Sequence, residues 1–106
     1  MGSHRIVYTA TAQRLIKKLP LSVRNSLPKK LETLPANPDL GKNLRGDLFP
    51  YQSAPVAGRY RVIFRVDPSF KIDDEMIPAL IVFYVGIRQE GSVADVYEKF
   101  RKLLEE

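Results

Sequence analysis

The stretch Gly58–Val66, GRYRVIFRV, sets Arg59, Arg61 and Arg65 at alternating positions, with Ile63 completing the series and Tyr60, Val62, Phe64 and Val66 between them. Side chains of a β-strand alternate between its two faces, so such a strand carries one apolar and one cationic face. Arginine keeps its charge at any workable pH and cannot serve as a general base. It can hold a phosphate through paired N–H donors and stabilise charge developing on a phosphorus oxygen. One well-placed donor of that kind is worth about 2.7–4 kcal/mol in a transition state. A row of arginines therefore reads as a phosphodiester clamp; the plain alternative is that Arg59 and Arg65 cover an exposed sheet face and pair with acids elsewhere. Arg88 ends a second strand, YVGIR, beside a turn. Tyr97 lies in a helical stripe with Val93, Phe100 and Leu104, where a tyrosine can pack its ring and still present its hydroxyl.

Other chemistry is thinly provided for. No glycine-rich phosphate loop, dinucleotide fingerprint, HExxH or CxxC occurs. There is no cysteine, and the single histidine, His4, falls in an MGSH start that reads as a tag remnant or disordered N-terminus, so the usual nucleophile–base pairs are missing. Asp73, Asp74 and Glu75 are consecutive and read as a solvated loop rather than a ligand set. No metal and no cofactor is expected, and any chemistry must come chiefly from cations and tyrosines.

The elements that position these residues fit one domain over 5–106. A chain of 106 residues has room for a single core, and 44% hydrophobic with 27% charged residues is globular composition rather than disorder. A chain without cysteine fits a reducing cytoplasm. The longest apolar run, MIPALIVFYVGI, is too short for a membrane span and is interrupted by Pro78; nothing at the N-terminus resembles a signal peptide. Charge is uneven: twelve lysines and arginines face three acids from Arg5 to Val66, and five face nine from there to the end. A cationic majority fits a polyanionic partner, and equally a basic domain whose charge keeps it soluble.

RIVYT reads as an opening strand. Thr9 or Thr11 then caps a helix with Ala12, Leu15, Ile16 and Leu19 on one face, ended by Pro20. Ser22 begins a second helix with Val23, Leu27, Leu31 and Leu34 on its stripe, and Pro28 is expected to kink or break it. LFPYQSA is a strand candidate that Pro50 confines to an edge or a strand start. RYRVIFRVD follows, then PSFKIDDEMIP as a loop, and ALIVFYVGI as a strand buried on both faces in mid-sheet. RQEG is a turn, and SVADVYEKFRKLLEE is a closing helix with Ser92 and Asp95 at its start. The order β-α-α-β-β-β-α makes the fold class α+β, with a small, largely antiparallel sheet, an N-terminal helical hairpin and a C-terminal helix.

Four fragments, NLRGDLFPYQ, GRYRVIFRV, IVFYVGIRQEG and DVYEKFRKLL, stand in the order and spacing of the RelE/ParE toxin superfamily of toxin–antitoxin systems. The chain resembles that family over nearly its whole length from Arg5. The resemblance implies a microbial-RNase-like domain and, for RelE-type members, metal-independent cleavage of mRNA in the ribosomal A site by attack of the RNA's own 2′-hydroxyl. It places the transition-state arginine at Arg61, the arginine after Val-Gly at Arg88 and the substrate-orienting tyrosine at Tyr97. Arg59, Arg65, Lys42 and Arg45 are the further cations expected to contact RNA. Two lysines that RelE carries after its Leu-x-Gly fall on Gln52 and Ala54, neither of which can donate a charge or act as a base. Asp39 is a possible counterpart of a carboxylate used by some relatives, although ANPDLG also reads simply as a turn; Glu90, Asp95 and Tyr97 are the other candidates for proton transfer. The implied partners are a cognate antitoxin, in a hetero-oligomer, and mRNA on the ribosome, with no membrane. The alternatives are a ParE-like toxin that inhibits DNA gyrase without cleaving anything, and a degenerate toxin that only binds its antitoxin.

Overall fold

The computed structural model describes residues 5–34 and 42–105. Strand β1 (Arg5–Tyr8) leads into helices α1 (Ala10–Lys17) and α2 (Leu21–Thr33). Then come a two-residue strand β2 (Lys42–Asn43), a 3-10 turn (Gly46–Leu48), strands β3 (Gln52–Val56), β4 (Tyr60–Ile72) and β5 (Glu75–Ile87), and helix α3 (Val96–Leu104). The sheet runs β1-β5-β4-β3-β2, antiparallel throughout except for β1 beside β5. This is the expected α+β order with one short strand added. Among the described residues no helix is long and apolar enough to cross a membrane.

Both sheet faces are covered. On one, Ala12 of α1 and Val23, Leu27 and Leu31 of α2 pack on Ala54, Val56, Val62, Phe64, Leu80, Val82 and Val85. On the other, Val96 and Phe100 of α3 pack on Ile63 and Leu48, flanked by Tyr51, Phe83 and Tyr84. That explains the unbroken apolar run of β5, which has helices on both sides. One further device is needed. Ile63 pairs with Tyr84 but Phe64 with Val82, so Phe83 is an extra residue in β5. This bulge puts Phe83 and Tyr84, adjacent in sequence, on the same α3 side.

Several expectations are corrected. The segment 67–78 is not a loop: β4 and β5 continue as a hairpin arm closed by a two-residue turn, Asp73–Asp74, with φ of 48° and 67°. Positive φ at both positions is the geometry of a primed hairpin turn, whose twist matches the strands, and aspartate tolerates it better than most residues. Ser22 does not cap α2; Pro20 precedes its first residue, and the helix runs through Pro28 without a break. Proline removes one donor, but Val23, Leu27 and Leu31 lie buried on both sides of it and hold the turns together. Pro50 stands outside the strand, after a cis Phe49–Pro50 bond, and Pro55 sits inside β3 where β2 no longer flanks it. Finally, α3 starts later than expected. Val93 is 91% exposed and Leu104 41%, so the inward stripe is Val96, Tyr97, Phe100 and Leu103.

Candidate functional site

The pairing of β4 fixes the side on which each arginine stands. Arg61 lies between Pro55 of β3 and Gly86 of β5, and the Arg88 N–H donates to the Arg59 carbonyl. A Cβ at Gly86 would meet Val96 Cγ2 at 3.0 Å, which identifies this as the α3 side. By strand alternation Arg61 and Arg65 share it, and Arg59 stands in the turn just before the strand. The face is not a bare cationic surface, however. Ile63, in the middle of the series, is fully buried beneath α3. The arginines therefore border a small apolar core instead of paving a plane. Arg59 and Arg65 are exposed. Arg61 is half-buried, and its Nη1 donates to the carbonyls of Gly58 and Tyr60, both at 2.9 Å. Among the described residues no carboxylate pairs with it.

Arg88 is held differently. Its Nη1 lies 2.6 Å from Asp95 Oδ2, its Nη2 lies 3.4 Å from Glu90 Oε1, and its guanidinium carbon sits 4.8 Å from the centre of the Tyr97 ring. Asp95 is the N-cap of α3: Oδ2 also accepts from the Tyr97 N–H, and Oδ1 accepts from the Gln89 N–H. Burial alone would raise the carboxyl of Asp95, whose side chain is only 3% exposed. The bond from Arg88 and the two backbone donors outweigh burial and hold it below the ordinary carboxylate value. The same bond to Asp95 raises Arg88 above its ordinary value, against the opposing effect of burial. At the far end of the cluster the Tyr97 hydroxyl is 2.8 Å from Ser53 Oγ on β3. The chain Asp95–Arg88–Tyr97–Ser53 thus ties the start of α3 to two strands.

Ser53 and the placing of Asp95 were not found by sequence reasoning about function. Ser53 is buried and shares its face with Tyr51 and Pro55, whereas Gln52 and Ala54 point to the α1/α2 side, where Ala54 is part of the main core. The two positions matched to the RelE lysines therefore do not share a face with Arg61. The signal for Ser53 was its alternation with buried Ala54, readable only once the strand's register was known.

The remaining candidates scatter. Lys42 contributes backbone pairing to Ser53, and Arg45 is exposed just before the 3-10 turn. Glu90 has a side chain 83% exposed and touches Arg88 alone among the site residues. Asp39 lies outside the described residues. Among the described residues, no three or more His, Cys, Asp or Glu side chains gather to hold a metal ion; Asp73, Asp74 and Glu75 form the hairpin tip.

No protein-family model matches the sequence, and no curated protein matches it. Likeness appears among solved structures. The toxin–antitoxin complex RelBE2 from Mycobacterium tuberculosis contains a chain that superposes with a TM-score of 0.61 at 27% identity, over 81% of this chain and 99% of that one. A YoeB/ParE toxin from Agrobacterium tumefaciens superposes with a TM-score of 0.62 at 14% identity, over 80% of this chain and 99% of that one, a likeness of fold.

Proposed function

We propose, from the place of this chain in the RelE/ParE toxin superfamily, that it is the toxin of a toxin–antitoxin pair and a metal-independent endoribonuclease that cuts mRNA on the ribosome in the cytoplasm. The observation that carries the reading is Arg61: a guanidinium without a carboxylate partner among the described residues, on the same sheet face and at the same sheet end as Arg88 and Tyr97. In this reaction the RNA's 2′-hydroxyl attacks the adjacent phosphorus, the bond to the 5′-oxygen breaks, and a 2′,3′-cyclic phosphate and a 5′-hydroxyl form. Arg61 stabilises the charge gathering on the non-bridging oxygens. Arg88 holds the same phosphate from just past the end of β5, and Tyr97, its ring fixed by Arg88 and its hydroxyl by Ser53, orients the nucleotide. Arg59, Arg65, Lys42 and Arg45 are the outer RNA contacts, and an antitoxin inhibits by covering this face.

The test is an mRNA in a translating extract. The expected result is codon-spaced cuts that Arg61→Ala lowers by about 10²–10³-fold, the usual worth of one transition-state donor. Uncut mRNA on translating ribosomes would overturn the reading.

A second reading is favoured by the β3 face, where Tyr51, Ser53 and Pro55 supply no cation and no evident base. It is a gyrase-inhibiting toxin that binds without cleaving. Intact mRNA together with lost gyrase supercoiling would select it; intact mRNA with normal supercoiling would leave a toxin that only binds its antitoxin.

A further inference from the structure

We infer that Arg88 is governed by two carboxylates of unequal standing: Asp95 is a positioning residue that fixes the guanidinium over Tyr97, and Glu90 holds the place that an incoming phosphate oxygen takes. The inference rests on the proposed site and deepens it by naming what aims and what screens its second arginine.

The two contacts differ in every physical respect. Asp95 is buried, accepts from Arg88 at 2.6 Å, and accepts from the backbone N–H groups of Gln89 and Tyr97. Withdrawing Arg88 would leave a buried carboxylate without its cation, a change that is strongly unfavourable. Asp95 therefore does not let go. Because it also caps α3, the same group that starts the helix places the arginine, and the ring of Tyr97 closes the guanidinium from one side. A guanidinium has five N–H donors in a fixed plane. Asp95 and Glu90 each engage one of its terminal nitrogens, and donors remain for a ligand.

Glu90 is the opposite case. Its side chain is 83% exposed, the contact is 3.4 Å, and among the described residues it makes no other bond that would keep it there. Exposed pairs of this kind contribute little and are readily exchanged. The arginine itself is 30% exposed and lines a hollow of about 340 Å³ with Gly91, Ser92, Val93, Asp95 and Glu98. That hollow is lined by the carboxylates of Asp95 and Glu98 and not by Glu90; an anion that displaces Glu90 meets Arg88 at its Nη2 edge, and Glu90 swings into solvent. The resting site thus carries its own weak anion, which blunts binding of stray anions and yields to a phosphodiester that Arg61 also grips.

The experiment uses the whole chain at constant ionic strength with two probes: a short single-stranded RNA made uncleavable by 2′-O-methylation at every position, and inorganic phosphate followed through the Arg88 Nε–H signal by NMR. Glu90→Gln is expected to tighten both probes by about two- to fivefold, the range that an exposed ion pair allows. Asp95→Asn, which keeps an N-cap acceptor but loses the charge, is expected to weaken both by about tenfold and to broaden the Arg88 signal as its orientation is lost. Equal effects of the two variants, or no tightening by Glu90→Gln, would overturn the inference. Should Asp95→Asn fail to fold, the Glu90→Gln arm alone decides. Uncut mRNA on translating ribosomes, together with a phosphate-dependent shift at Arg88 that Glu90→Gln strengthens, would sink the nuclease reading and leave the two-carboxylate arrangement standing.

Discussion

The two faces of the sheet are built to different specifications. On the α1/α2 side a continuous core of mostly aliphatic residues, with Phe64 its one buried ring, runs from Ala12 to Val85. On the α3 side the core is small and aromatic: Tyr51 packs edge-on against both Phe83 and Phe100, at 5.0 and 4.9 Å between centroids, and Tyr84 tilts against Phe100 at 5.9 Å. Around that small core stand all the groups with chemistry, Arg61, Arg88, Tyr97, Ser53 and Asp95. One face supplies stability, and the other spends part of its area on polar groups and is closed by a nine-residue helix. The comparison teaches that the candidate site depends on a minority of the core, centred on Phe100.

The largest effects should come from breaking each core separately. Phe100→Ala is expected to cost about 3–5 kcal/mol and Leu31→Ala about 2–5 kcal/mol by urea unfolding. Their consequences should differ. Leu31→Ala lowers stability while leaving the Tyr97 and Arg88 signals in their native positions; Phe100→Ala loosens α3 and moves both. If Leu31→Ala disturbs Arg88 as much as Phe100→Ala does, the two faces are one cooperative unit and the contrast fails.

Next in size is Gly86, where β5 passes close under Val96 of α3. An added Cβ lies 3.0 Å from Val96 Cγ2 and 3.3 Å from Val96 Cβ, and valine on a helix has little rotamer freedom with which to give way. Gly86→Ala should cost about 1–3 kcal/mol, the usual range for overpacking, and Val96→Ala in the same chain should recover part of it. A cycle with no coupling between the two positions would show that α3 does not rest on this glycine.

Much of this was legible in the sequence, and the boundary is instructive. Alternation in GRYRVIFRV put Arg61 and Arg65 on one face, because the pleat of a strand is a local property, whereas Arg59 falls in the turn before the strand. What covers that face is not local: Ile63 reads as an interruption among arginines until α3 is seen lying on it. The arm at 67–78 was missed because Pro68, Pro78 and three consecutive acids are ordinary loop signals, and only the pairing of Phe70 with Ile77 and Ile72 with Glu75 makes strands of them. The phase of α3 slipped because Val93 completes a plausible stripe, whereas Asp95 caps the helix and its first residue is Val96, three residues later. The resemblance carried the arginines to their positions but set Gln52 and Ala54 against the RelE lysines, on the wrong side of β3 for Arg61.

The acid side of the pH profile tests the same latch from another direction. Asp95 is held below its ordinary value in the folded chain. Its contribution is therefore fully present above the unfolded carboxylate range, near pH 4, and is lost as pH falls through the lower folded value. Stability should fall as pH drops below about 4 in the native chain, and Asp95→Asn should flatten that fall. Equal slopes in the two proteins would mean that other carboxylates govern the acid transition.

The smallest expected effect is the most diagnostic of how the faces are joined. Ser53 Oγ and Tyr97 Oη share one hydrogen bond across the gap between β3 and α3. Ser53 is buried and Tyr97 half-buried, so the two deletions are not equivalent. Ser53→Ala removes a buried hydroxyl and leaves the Tyr97 hydroxyl close enough to solvent to find water, at a cost of about 0.5–1.5 kcal/mol. Tyr97→Phe leaves the buried serine oxygen unsatisfied and should cost about 1–3 kcal/mol. The double variant should then cost less than the sum of the singles, because removing both partners leaves nothing unpaired. If Ser53→Ala proves the costlier of the two, Tyr97 is held by its ring alone, and Ser53 loses its place in the candidate site.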